Sequence, residues 1–125
     1  MIKGLGTDIV SIKRIAETEQ RLGERFAARI LVPNELLQYQ THDNATAFLA
    51  KRFAAKEAAV KAMGTGIGRG ISFQHFQIKN DELGAPQLIL LGAAKAHCDV
   101  LGVSSVHVSL SDEQEYATAT VILEG

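Results

Sequence analysis

Apolar positions in this chain fall into short runs with strand character and longer runs that recur at helical spacing. The run Gly4-Leu5-Gly6-Thr7-Asp8-Ile9-Val10 predicts a strand over about 3–10, then a helix over about 11–22 and a short helical turn over about 24–31. Pro33-Asn34-Glu35 starts another helix, since proline suits a first helical turn. A polar link, Gln40 to Asn44, leads into a long helix over about 45–63, with Asn44 as its N-cap. Strands follow over about 71–79, 86–91, 104–110 and 116–123, with a helix over about 93–101 between the two pairs. Gly84-Ala85-Pro86 turns the first pair and Asp112-Glu113-Gln114-Glu115 the second, and so short a link makes the last two strands antiparallel. No repeat, linker or low-complexity segment divides the chain. The pattern predicts one domain over 1–125 of class α+β, a small, largely antiparallel sheet packed with helices.

Inside the long helix, Glu57 keeps apolar company. With Glu57 at zero on the helical wheel, Phe53 lies at about −40°, Val60 at about −60° and Lys61 at about +40°. A carboxylate on an apolar face needs a cation, a metal or a strong donor, or it takes up a proton. Lys61, four residues on, is one candidate partner, although Glu–Lys pairs at this spacing are also common on solvated helices. The helix runs into Gly64-Thr65-Gly66-Ile67-Gly68-Arg69-Gly70, whose glycines permit backbone amides to wrap an anion and equally suit a helix C-cap with a surface loop. Asp8 is the only charge between Lys3 and Lys13, in a run where aspartate is disfavoured. It either caps the following helix or converges with Glu57 on a hard cation such as Mg²⁺, which takes one or two carboxylates and fills its shell with water and phosphate.

Composition narrows the partners. A net charge of −1 lacks the basic excess of a general nucleic-acid binder, so any positive patch is local, as in Lys13, Arg14, Arg21, Arg25 and Arg29 of the first helical region. The lone Cys98 forms no intrachain disulfide and suits a reduced packing thiol. No run approaches the ~20 apolar residues of a membrane span, and the N-terminus lacks a signal-peptide core, so a cytoplasmic location is expected.

Three motifs in this order resemble the bacterial holo-acyl-carrier-protein synthases almost end to end: Gly6-Thr7-Asp8-Ile9-Val10; Arg52-Phe53-Ala54-Ala55-Lys56-Glu57-Ala58 with Lys61 and Gly64-Thr65-Gly66-Ile67-Gly68; and His107-Val108-Ser109-Leu110-Ser111 with Tyr116-Ala117-Thr118-Ala119. The resemblance implies the 4′-phosphopantetheinyl transferase fold and transfer of phosphopantetheine from coenzyme A to a serine of apo acyl carrier protein, releasing adenosine 3′,5′-bisphosphate and supporting fatty acid biosynthesis. It implies Asp8 and Glu57 as Mg²⁺ ligands, and Glu57 and Lys61 as catalytic residues, with Glu57 or water on the metal taking the serine proton. Arg52, Lys61, Gly64, Thr65, Gly66, Ile67 and His107 would bind coenzyme A, and Arg14, Arg21 and Arg25 an acidic carrier protein. It also implies a homotrimer with active sites at subunit interfaces, while the net charge and the lack of a long apolar run predict no nucleic-acid or membrane partner.

Two positions depart from the common family pattern. Ser111-Asp112 replaces Ser-His, and Gly84-Ala85-Pro86 replaces Gly-Lys-Pro; both remove positive charge. Two other readings compete. A coenzyme A or nucleotide binder without catalysis would bind ligand and leave the carrier unmodified. A structural interaction protein with a basic helix would show no magnesium-dependent ligand binding.

Overall fold

The computed structural model describes residues Met1–Gly125. Its elements run β1 (Ile2–Ser11), α1 (Ile12–Leu22), α2 (Glu24–Ile30), α3 (Pro33–Thr41), α4 (Ala45–Met63), β2 (Phe76–Asn80), β3 (Pro86–Leu90), α5 (Gly92–Val100), β4 (Ser105–Asp112) and β5 (Tyr116–Glu124). Two antiparallel sheets result, one ordered β1-β5-β4 and the other the β2–β3 hairpin.

Local chemistry sets the element ends. Ser11 accepts a hydrogen bond from the Arg14 backbone N–H and so caps α1, leaving Asp8 free of the capping role. Asn44 caps α4 in the same way through Ala47, and Gly64 ends it in the left-handed region at φ 74°. Gly23 divides the basic region, so Arg14 and Arg21 sit on α1 but Arg25 and Arg29 on α2, not on one continuous helix. The expected strand over 71–79 starts only at Phe76, because Ser72 accepts from the Gln74 N–H and winds Phe73–His75 into a 3₁₀ turn.

Helix α4 is the centre of the molecule. Gly4 and Gly6 let β1 lie directly on it: a Cβ on Gly4 would stand 2.0 Å from the Ala62 carbonyl oxygen, and one on Gly6 2.0 Å from that of Ala58. The inward residues of β5, Ala117, Ala119, Val121 and Leu123, cover the same side, and the larger core includes Ala54, Ala58, Val60, Phe76 and Ile78. A second core joins α1 and α2 to α4 through Ile15, Ile30, Phe48 and Leu49. Burial on nearly every side explains why α4 has almost no solvated face, and why its polar residues are confined to special environments.

Candidate active site at the junction of β1 and α4

The close packing permitted by Gly4 and Gly6 sets Asp8 beside the last turns of α4. Asp8 Oδ1 lies 2.9 Å from Lys61 Nζ, which also donates to the Thr7 carbonyl at 3.0 Å. The lysine therefore pairs with Asp8 across two elements rather than with Glu57 along its own helix. Glu57 is half-buried and takes part in none of the ion pairs. Burial pushes its carboxyl above the ordinary carboxylate range, the negative charge of Asp8 pushes the same way, and Lys61 offsets part of the rise.

No third acid, histidine or cysteine joins these two carboxylates. Two oxygen donors are still enough for Mg²⁺, which keeps several waters and takes phosphate oxygens as further ligands. The repulsion between Asp8 and Glu57 is what a cation placed between them would relieve, so the donor set fits such an ion.

Immediately beyond α4, the glycine segment forms one wall of an open cavity of about 680 Å³, closed on the other side by Ala93 and His97 of α5. Gly64 donates to the Lys61 carbonyl and Thr65 to that of Val60, which turns the chain back at the helix end. Gly66 and Gly68 adopt φ 122° and 119°, and Arg69 is the only non-glycine residue with positive φ. His97 Nε2 lies 3.2 Å from the Met63 carbonyl, so a histidine given no role by sequence lines the loop.

Arg52 and His107 are not part of this junction. Arg52 is about 140° around α4 from Glu57, with its side chain only 6% exposed against Glu35 of α3. His107 lies on the sheet face opposite α4, alternating with the inward Val106 and Val108, and bonds Glu124 at 3.0 Å, which holds that carboxyl below its usual range. The two nevertheless share a neighbourhood. Asn80 lines the Arg52 pocket, and its strand partner Pro86 lines the groove holding His107. Asp112, one of the unusual positions, pairs with Lys51 at 3.6 Å.

Arg14, Arg21 and Arg25 are all exposed. Arg14 borders a small apolar pocket of about 300 Å³ formed by Ile9, Ile15, Phe26 and Phe53, next to Asp8 in sequence and one turn before Glu57 on α4.

The model of the 4′-phosphopantetheinyl transferase superfamily matches residues 4–121. The chain belongs to this superfamily. It is 56% identical over 124 residues to the holo-[acyl-carrier-protein] synthase of Edwardsiella ictaluri, covering 99% of this chain and 98% of the relative. A crystal structure of the Neisseria meningitidis holo-[acyl-carrier-protein] synthase superposes with a TM-score of 0.92 at 45% identity, covering 100% of both chains. The Helicobacter pylori enzyme, solved in complex with coenzyme A, superposes with a TM-score of 0.84 at 32% identity over 96% of this chain and 99% of that one. The α+β architecture of this transferase superfamily is thus the architecture of the chain. No helix is long and apolar enough to cross a membrane.

Proposed function

We infer that the protein transfers 4′-phosphopantetheine from coenzyme A to a serine hydroxyl of apo acyl carrier protein, releasing adenosine 3′,5′-bisphosphate, in support of fatty acid biosynthesis. The observation that carries this reading is the junction of Asp8, Glu57 and Lys61 at the mouth of the glycine loop, in a chain that matches holo-acyl-carrier-protein synthases over nearly its whole length.

In this reading the serine oxygen bonds to the phosphorus that carries pantetheine, and the bond from that phosphorus to the oxygen of the leaving adenosine bisphosphate breaks. Asp8 and Glu57 would hold Mg²⁺, which would supply charge neutralisation at the diphosphate. Glu57 would receive the serine proton. Lys61 turns from Asp8 to the diphosphate and stabilises or protonates the departing oxygen. Gly64, Thr65, Gly66 and Ile67 bring backbone and small side chains against the nucleotide.

Arg52 and His107 belong to the same reaction through a neighbouring subunit. Each chain then carries two half-sites, the Asp8 junction with its loop and the Arg52–His107 region at the end of the β2–β3 hairpin. A head-to-tail ring brings one half of one subunit to the other half of the next, consistent with the trimer implied by the family resemblance. The outward face of β1 and β5 supports this, since Leu5 and Ile9 are 64% and 65% exposed beside Tyr116 and Ile122. The carrier protein docks over Arg14, Arg21 and Arg25, whose charge steers an acidic partner, with the Phe26–Phe53 pocket offering an apolar socket at the contact.

Release of adenosine 3′,5′-bisphosphate, followed by chromatography, tests the reaction. Stoichiometric release with apo carrier, and none with a carrier whose acceptor serine is alanine, supports transfer. Coenzyme A binding without release would instead favour the non-catalytic binder.

A further inference from the structure

The most heavily buried charges in the molecule lie outside the junction. Glu35, 1% exposed, accepts hydrogen bonds from the Val32 N–H at 2.9 Å, the Ile78 N–H at 2.9 Å and Lys56 Nζ at 2.6 Å. Lys56 is wholly buried and donates a second bond to the Ile30 carbonyl at 2.6 Å. The other Glu35 oxygen stands 3.4 Å from Arg52 Nε, which makes no hydrogen bond. One carboxylate thus faces two bases, and α2, α3, α4 and β2 meet on it.

Arg52 is held flat by these neighbours. Its guanidinium lies 3.9 Å from the centre of the Phe48 ring, and Nη2 donates to the Ile78 carbonyl at 3.4 Å. The same side chain lines a polar pocket of about 440 Å³ with His42, Lys51 and Asn80. A buried guanidinium cannot give up its proton, and with Nε against Glu35, Nη2 on the Ile78 carbonyl and one face on Phe48 its orientation beside the pocket is fixed. An anion entering the pocket meets the Arg52 charge in a water-poor setting, where a fixed donor geometry matters most.

We propose that Glu35 is a positioning residue for coenzyme A: by holding Arg52 in the buried cluster with Lys56, it aims the guanidinium at a phosphate group in the adjoining pocket. The inference rests on the reading that Arg52 contacts the nucleotide phosphates. Glu35 itself touches no substrate. Lys56 serves mainly to neutralise Glu35, and its role is stability.

Calorimetric titration of magnesium-loaded protein with coenzyme A tests this in five variants: Arg52→Gln, Glu35→Gln, the two combined, Lys56→Met, and Glu35→Met/Lys56→Met, which leaves Arg52 as the one charge of the cluster. The last keeps the proposal testable if Glu35→Gln fails to fold, because acid and base are removed together and Lys56 is not left buried without its partner. Arg52→Gln should weaken coenzyme A binding about tenfold or more, the loss of one charge-assisted phosphate contact. Glu35→Gln and Glu35→Met/Lys56→Met should weaken it by a similar factor, with kcat at saturating coenzyme A within about twofold of wild type. Lys56→Met should lower the melting temperature and leave affinity within about twofold. In the Arg52→Gln background, Glu35→Gln should add almost nothing. If Arg52→Gln weakens binding but the Glu35 variants do not, or if Glu35→Gln costs the same factor in both backgrounds, positioning by Glu35 is wrong. Unchanged affinity in Arg52→Gln would overturn the Arg52 contact and the inference with it.

Discussion

At Glu57, burial and the charge of Asp8 both disfavour the ionised carboxylate, and Lys61 offsets them only in part because it is bonded to Asp8. An acid whose folded pKa is raised binds its proton more tightly folded than unfolded. Its effect on stability is therefore absent below the ordinary carboxylate pKa, and becomes unfavourable as pH rises toward the raised value and beyond. Glu57→Gln should accordingly raise the melting temperature of the metal-free protein at neutral pH, in a scanning calorimeter, while reducing transfer by roughly 10²-fold or more. Mg²⁺ should stabilise the wild type clearly and Glu57→Gln weakly. For the wild type, the affinity of the metal-free protein for Mg²⁺ should fall with decreasing pH already above the range of an unperturbed glutamate, since protonated Glu57 does not bind the cation. Asp8 and Glu57 are legible in sequence because each is a lone acid in an apolar run. The Glu35–Lys56–Arg52 cluster is not, because a wheel drawn on one face of α4 assigns the other face to solvent, whereas α3 and β2 cover it.

Among the elements, the contact of β1 with α4 makes the site. Gly6→Ala would place a methyl carbon 2.0 Å from the Ala58 carbonyl oxygen and 2.6 Å from the Ala62 nitrogen, both backbone atoms that cannot turn aside. Overpacking of this kind costs about 1–3 kcal/mol or more, and here it also lifts Asp8 away from Glu57. Denaturant titration should show the loss of stability, and Mg²⁺ affinity should fall further than stability alone explains. The bounds of α4 follow from its own chemistry, Asn44 at one end and Gly64 at the other, and the sequence reading matches them. The start of β2 was hidden for a different reason. Ile71-Ser72-Phe73-Gln74-His75 alternates like a strand, but Ser72 closes a turn on itself and Gln74 Nε2 reaches the Ala28 and Leu31 carbonyls at the end of α2. On α1, charge reversal in Arg14→Glu should raise the carrier-protein KM several-fold, with a slower salt-dependent encounter, and leave the KM for coenzyme A unchanged.

At the scale of the whole molecule, one chain presents the Asp8 junction toward α4 and His107 on the opposite face of the same sheet, which is why we propose that a ligand touching both lies between two copies. Nothing in hydrophobic periodicity reports this, because Leu5 and Ile9 read simply as the second face of a buried strand. Leu5→Glu/Ile9→Glu should leave the helical circular dichroism intact and shift the sedimentation coefficient to that of a monomer, with transfer activity lost in the same protein. An assembly of unchanged mass would show that this face is not the interface. Transfer at the Asp8–Glu57–Lys61 junction is read out by the intact mass of an apo acyl carrier protein after incubation with enzyme and coenzyme A. A gain of one phosphopantetheine group is expected with wild type and Mg²⁺, and essentially none with a chelator or with Glu57→Gln. An equal gain in Glu57→Gln, or in the presence of chelator, would contradict it.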